Sequence, residues 1–336
     1  MTDDILACHA INISQEYAER EKLVKHYLVG EFSKTVEEFG RARVTECVKN
    51  LEQDGIGWIT IKCKDYPERL LNLPDPPYVL YTKGNKELLK KPSISIVGMR
   101  ESSTYGNEIT EKWAHEFTSR GVVVVSGLAD GIDRAAHVGA GSKNTIAVLG
   151  NGINYYYPSG NVALQNEIGE KGLLLSEYLP PVRCTKFTFP HRNRLVAALS
   201  KVLLIAEAGN KSGTMITKDI ALDLGNDIFA IPGPVNSVGS IGTNDLIKRG
   251  EALVATEPDD VLNAMGSFKK SSKPNVMTQV SFEEQQILDV LGGSGAHFDD
   301  IIETTHLPIA KLSTLLTNME VSGLLKKLPG NMYVGR

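Results

Sequence analysis

Between Ser93 and Gly233 six short aliphatic, largely β-branched runs recur, SISIVG, VVVVSG, TIAVLG, GLLLSE, KVLLIAE and DIFAIPG, each closed by a small residue or a carboxylate. They read as strands buried on both faces. Stretches of helical periodicity separate most of them, such as NEITEKWAHEFTSRG and TKDIALDLG. Strands that alternate with helices can pair only through crossover connections, which build a mostly parallel sheet with helices on both faces. The expected class is therefore α/β, a doubly wound sheet over about residues 92–265.

The flanks follow other rules. Residues 1–65 carry amphipathic patterns, EYAEREKLVKHYLVG and KTVEEFGRARVTECVKNLEQDG, and are expected to be a small helical region ending at Gly55 and Gly57. In DYPERLLNLPDPPYVLYTKGN, prolines at 67, 74, 76 and 77 forbid a continuous helix, so this segment reads as a strap into the core. Residues 266–280 are poor in apolar side chains and read as a linker. Residues 281–336 show three short helical patterns and a hairpin turning at Pro329 and Gly330, the order of a winged helix. A length of 336 residues agrees with two or three domains.

Composition narrows the function classes. With 42% hydrophobic and 23% charged residues the chain is expected to fold as a soluble protein. No apolar run approaches the ~20 residues that span a bilayer, and the opening MTDDILACHA is acidic where a signal peptide is basic, so a cytoplasmic location is expected. Cys8, Cys47, Cys63 and Cys184 lie far apart with no metal-ligand spacing, which points to reduced thiols and no metal site. A net charge of −4 argues mildly against nucleic acid as a partner. Phosphate chains respond to local charge, however, so its distribution decides.

In parallel sheets, ligands gather where strands end and helices begin. After the first run come Gly98, Arg100, Ser103 and Tyr105, where a glycine turn, a guanidinium and hydroxyls suit a phosphate. A Ser-capped helix start is the alternative. After the second, Gly127, Gly131 and Asp133 allow either a close backbone approach to phosphate or sugar, or tight strand-helix packing. LGNGINYYYP offers Gly150 and Gly152, but Tyr155 occupies the third glycine of a dinucleotide fingerprint, which argues against nicotinamide. In GNKSGT, Asn210 stands where a phosphate-binding P-loop needs glycine, so no ATPase activity is expected; Lys211, Ser212 and Gly213 still suit a phosphate.

The segment RCTKFTFPHRNRLVAALS is the most telling. From Arg183 to Arg194 it holds four permanent cations and one His, no carboxylate, and Phe187 and Phe189. Cations for phosphates beside rings for bases are the recurring design for single-stranded nucleic acid. The alternative is a solvated basic loop with two core phenylalanines. No nucleophile elbow or H-E-x-x-H motif is present, so the chain is not expected to be an enzyme. Glu177 and Glu207, ending what read as adjacent strands, suit either paired acids or capping and Arg-pairing roles.

Six co-linear motifs, SIVGMRESSTYG, VVSGLADGIDRAAH, TIAVLGNGINYYYP, FPHRNRLVAALS, AEAGNKSGTMIT and IFAIPGPVNSVGSIGTNDLIKRGEALV, resemble the DNA-processing protein A family, DprA or Smf, over residues 66 to about 260. The resemblance implies an extended Rossmann-like core at 66–265, homodimerisation, binding of single-stranded DNA, and delivery of the RecA recombinase to that DNA in natural transformation; no cofactor is expected. By motif it implies DNA contacts at Arg100, Lys186, Phe189, Arg192, Arg194 and Lys211, with Ser103, Gly127, Asn193, Ser212 and Gly213 in the same motifs. Two positions depart from the pattern: Met99 replaces a small hydroxyl residue, and Asn226 stands where a basic residue is common. A nucleotide-processing hydrolase on a related core is the rival, but its P-G-G-x-G-T-x-x-E signature is absent. Residues 281–336 carry seven acidic and four basic side chains, so the winged helix is expected to contact protein rather than duplex DNA.

Overall fold

The computed structural model describes residues 1–14, 17–209, 212–266, 281–292, 295–322 and 324–335. The chain divides into two compact units, Met1–Lys270 and Ser271–Arg336. Nearly all of the expected linker, residues 267–280, lies outside the described residues.

The first unit opens with four helices, α1 (Asp3–Ile13), α2 (Tyr17–Leu28), α3 (Phe32–Phe39) and α4 (Arg41–Gln53). Strands β1 (Gly57–Thr60) and β2 (Val79–Gly84) follow. The alternating part then runs β3 (Ser93–Val97), α5 (Thr104–Ser119), β4 (Val123–Ser126), α6 (Ile132–Ala140), β5 (Thr145–Val148), α7 (Val162–Lys171), β6 (Leu173–Ser176), α8 (Thr188–Leu199), β7 (Val202–Ile205), α9 (Thr214–Asp223), β8 (Asp227–Ala230), α10 (Val238–Arg249), β9 (Leu253–Val254) and α11 (Pro258–Ala264). All six runs picked out in the sequence are strands.

They form one nine-stranded sheet in the order β1-β2-β6-β5-β4-β3-β7-β8-β9. Strands β3 to β9 are mutually parallel, and β1 and β2 add an antiparallel margin beside β6. From β3 the chain winds outward to β6, then α8 carries it back across the sheet to β7, so the winding reverses between β3 and β7. Strand alternation sorts the core. Val123, Val125, Ile146, Val148, Leu203 and Ile205 face α8, α9 and the strap. Ile94, Ile96, Val124, Val202 and Leu204 face Trp113 and Phe117 of α5 and the helix α11. Burial on both faces explains why these runs are uniformly apolar.

The sheet margin departs from expectation. Strand β1 lies inside the 1–65 region expected to be helical, because Trp58, Ile59 and Thr60 are strand formers that pair with Tyr81, Leu80 and Val79 of β2. The strap is tied to the core by Arg69, which donates to the Ala198 carbonyl at 3.0 Å, the Ser200 carbonyl at 2.9 Å and Asn226 Oδ1 at 2.6 Å. Asn226 in turn donates to the Ala197 carbonyl at 2.7 Å. It precedes β8 and so sits at the amino ends of the strands, where this amide is a structural tie.

The second unit contains α12 (Phe282–Leu291), β10 (Ala296–His297), α13 (Phe298–Thr305), α14 (Ile309–Val321), β11 (Leu325–Leu328) and β12 (Met332–Gly335), with sheet order β10-β12-β11. Ile287, Leu291, Ile301, Leu312, Leu316, Met319 and Tyr333 form its own core. This is a winged-helix domain.

Two fully buried imidazoles in the first unit make the fold sensitive to acid. His9 lies edge-on to Trp58, its ring nitrogens without hydrogen-bond partners, and burial lowers its pKa from 6.5 to about 4. His137 meets Thr145 Oγ1 at 2.7 Å, and burial lowers it to about 3. Both stay neutral when folded but take up a proton when unfolded below about pH 6.5, so stability falls as pH drops from there toward 4. His9→Leu removes one such group and two unsatisfied nitrogens. The urea midpoint of this variant should equal or exceed that of wild type at pH 7 and fall about half as steeply between pH 6.5 and 4.5.

Candidate nucleic-acid interface

Where the winding reverses, the loops after β3 and β7 diverge and leave a cavity of about 420 Å³ at the carboxyl ends of the strands. Gly98, Met99 and Arg100 line it after β3, Gly127 and Asp133 after β4, Phe189, Arg192 and Asn193 from α8, and Ser212, Gly213 and Thr214 before and within α9. Four of the five sequence segments that look unusual therefore converge on one site, LGNGINYYYP being the exception.

The first loop is held from behind by Glu207. This carboxylate is 2% exposed and accepts from the Ser103 backbone N–H at 2.8 Å and from Ser103 Oγ at 2.5 Å. Ser103 Oγ also accepts from the Gly106 N–H at 3.0 Å, capping α5. A Cβ at Gly106 or Gly239 would lie 2.3 or 2.9 Å from this carboxylate, so both positions need glycine. The N-terminus of α5 thus already holds an anion of the protein's own, and Ser103 is engaged in capping. Arg100 beyond it is exposed, with its Cζ 5.0 Å from the Phe189 ring centroid. It forms no ion pair among the described residues.

Helix α8 sorts the cationic segment by helical period. Phe189, Arg192, Asn193 and Val196, spaced i, i+3, i+4 and i+7, face the cavity. Arg192 is 3% exposed; its Nη1 donates to the Gly127 carbonyl at 2.5 Å and also to the Val148 carbonyl, and its Nε donates to Asn193 Oδ1 at 3.1 Å. A Cβ at Gly127 would sit 2.4 Å from this guanidinium, which is why glycine stands there. Asp133 is also buried, and burial pushes its carboxyl upward while the Arg192 charge opposes this.

Arg194 falls on another side of α8, away from the cavity. Its Nη2 lies 2.6 Å from Glu177 Oε2 and 3.7 Å from Asp75 Oδ2. His191 joins the same cluster at 3.0 Å from Glu177 and 3.6 Å from Asp75, and hydrogen bonds to Asp75 and Glu177 raise its pKa to about 9. Lys186 is exposed before α8, its Nζ 5.1 Å from the ring centroid of Phe187, which is 72% exposed. Lys211 lies outside the described residues. Ser212 Oγ donates to Thr214 Oγ1 at 2.8 Å and accepts from the Thr214 N–H at 3.1 Å, opening α9 beside the exposed Gly213.

The paired-acid reading of Glu177 and Glu207 is corrected by topology. They follow β6 and β7, which are separated by β5, β4 and β3, and each is engaged in a different structural cluster. Among the described residues no three His, Cys, Asp or Glu side chains converge as metal ligands, and no helix is long and apolar enough to cross a membrane.

Residues 57–266 match the model of the family described as DNA recombination-mediator protein A. The chain belongs to this family. Residues 273–331 match the DprA winged helix domain. Protein Smf of Escherichia coli is 33% identical over 304 residues, covering 87% of this chain and 81% of that protein. DNA processing protein DprA of Streptococcus pneumoniae is 44% identical over 200 residues, covering 59% and 70%. Its X-ray structure superposes with a TM-score of 0.62 at 38% identity, over 69% of this chain and 80% of that one. DNA processing protein A from Helicobacter pylori, whose structure is described for its single-stranded DNA binding mode, superposes with a TM-score of 0.57 at 34% identity, over 62% and 95%.

The two arginines at the cavity should separate experimentally. Arg192→Ala strands two buried carbonyls and is expected to destabilise the fold by roughly 2–5 kcal/mol. Arg100→Ala, at an exposed position, should leave the melting temperature within a degree or two of wild type. Calorimetry on both variants checks this. The His191 cluster predicts a second effect. Because its folded pKa is raised, its stabilisation is complete below about pH 6.5 and is lost as pH rises through about 9. The stability gap between wild type and His191→Gln should therefore close between pH 7 and 10.

Proposed function

We infer that this chain is a single-stranded DNA-binding mediator that protects such DNA and delivers the RecA recombinase to it in DNA processing and natural transformation. The observation that carries this reading is the unpaired Arg100 guanidinium resting on the Phe189 ring at the mouth of a glycine-walled cavity. A cation for a phosphate beside a ring for a base is what an unpaired strand offers partners for, whereas a duplex hides its base faces. Membership of a recombination-mediator family and the likeness to the Helicobacter pylori protein support the same reading. The strand lies across the carboxyl ends of β3, β4 and β7, with phosphates at Arg100 and the Ser212–Gly213 turn, a base at Phe189, and Lys186 as a further cation along its path. Arg192 and Asn193 shape the cavity floor. The protein works as a homodimer in the cytoplasm, without a catalytic step of its own.

The winged helix serves protein contact. The only cation of α14 is Lys311, and its Nζ is ion-paired with Glu283 of α12, which leaves that helix without free positive charge for a duplex.

Fluorescence anisotropy with a labelled oligonucleotide tests the reading. Single strands should bind in preference to duplex, and affinity should fall steeply between 50 and 200 mM salt. Arg100→Ala should weaken binding by about tenfold or more. Equal binding of wild type and Arg100→Ala, or a preference for duplex, would refute it.

A further inference from the structure

The loop between β5 and α7 carries a run of three tyrosines that the cavity does not use, and it is unusually well braced. Three side chains, each 1% exposed, bind its backbone or its neighbours. Asn151 Nδ2 donates to the Tyr155 carbonyl at 2.6 Å and the Gly152 carbonyl at 3.0 Å. Gln165 Nε2 donates to the Ile153 carbonyl at 3.1 Å and the Tyr155 carbonyl at 3.3 Å. Asn161 Nδ2 donates to the Leu128 carbonyl at 3.0 Å. Buried amides that donate to backbone carbonyls hold a loop in place. Here the fixed loop presents Tyr156 and Tyr157 to solvent, 42% and 41% exposed.

The Tyr157 ring lies 5.5 Å from the Phe189 ring, while the Arg100 guanidinium also sits on Phe189, at 5.0 Å. A Cβ at Gly150 would come within 2.9 Å of Phe189, so that ring is closely backed there as well. Phe189 is accordingly half-buried among Arg100, Gly150 and Tyr157 with its remaining exposure toward the first cavity, and Tyr157 is a second, more exposed ring beside it. A second, smaller cavity adjoins the first across Phe189, lined by Arg100, Leu128, Asp130, Leu149, Tyr157 and Pro158. At about 20 Å³ this recess has room for about one water and holds no base itself; a base would stack on the exposed Tyr157 ring at its rim, where the Asp130 carboxylate disfavours a second phosphate. Arg100 lines both cavities, so a phosphate held there would have one base on either side.

We propose that the exposed ring of Tyr157, with Pro158 beside it, is a second base-stacking site, so that two consecutive bases of a single strand straddle the phosphate bound at Arg100. This inference rests on the single-stranded DNA reading of the same site. It makes Tyr157 a stacking residue and Asn151, Asn161 and Gln165 its positioning residues.

The test uses the full chain and oligothymidine containing one 2-aminopurine, moved stepwise along the strand. Wild type should quench the probe at two successive positions. Tyr157→Leu should lose quenching at one of them and bind oligothymidine about tenfold more weakly, while Tyr157→Phe, which keeps the ring, should behave as wild type. If wild type binds but Tyr157→Leu leaves affinity and quenching unchanged, the second subsite is overturned and the first stands. Equal losses in Tyr157→Phe and Tyr157→Leu would assign the effect to the hydroxyl and also overturn it. If wild type binds no oligonucleotide, both the subsite and the reading it rests on fail.

Discussion

The guanidinium of Arg192 holds the site together. Buried at the start of α8, it bonds the carbonyls that end β4 and β5 and so fixes the helix against the strand ends at the reversal of winding. A permanent cation in such a place is tolerated because backbone oxygens and the nearby Asp133 offset its desolvation. With α8 locked in this way, Phe189 one turn earlier is delivered to the cavity mouth, and Gly127 is obliged to be a glycine. An arginine that reads in sequence as a phosphate contact thus has its first task inside the protein.

Glu207 does the complementary work on the opposite wall. Helix N-termini at the carboxyl edge of a parallel sheet usually attract anions, but α5 already caps itself with Ser103 and Glu207. That leaves Arg100 as the exposed positive group of the β3 loop, carried on a turn whose backbone is anchored at Met99 and Ser103. On the proposed reading, selectivity for a strand over a free small anion would follow from this arrangement. The site offers a point cation framed by rings rather than a nest of backbone N–H groups.

The parallel core was legible because burial on both faces leaves a one-letter signature, uninterrupted aliphatic runs ending in glycine or a carboxylate. The winged helix was legible from its periodicity and its Pro329–Gly330 turn. The antiparallel margin was not, since β1 is four residues long and β2 hides among prolines whose constraint suggested only a strap. Composition singled out RCTKFTFPHRNRLVAALS, part of which lines the cavity, but could not divide it. Division came from the helical period, which sends Phe189 and Arg192 one way and His191 and Arg194 another. The Tyr155–Tyr157 run was noticed only as a failed glycine fingerprint, because the neighbour that gives it meaning, Phe189, is more than thirty residues away. Glu177 and Glu207 looked adjacent because strand order cannot be read from chain order in a sheet that reverses.

The cavity walls come from four connections scattered between Gly98 and Thr217, with no two of the segments contiguous in the chain. No fragment that omits one of them keeps the site, and the unfolded chain has nothing comparable to offer a ligand. On the proposed reading, occupancy and folding would be thermodynamically coupled: a strand bound there would touch the halves of the sheet on either side of the reversal and stabilise the whole unit in proportion to the logarithm of its concentration. In a cell, the population of intact protein would rise with the supply of unpaired DNA, so the molecule would be most resistant to proteolysis when it has work to do.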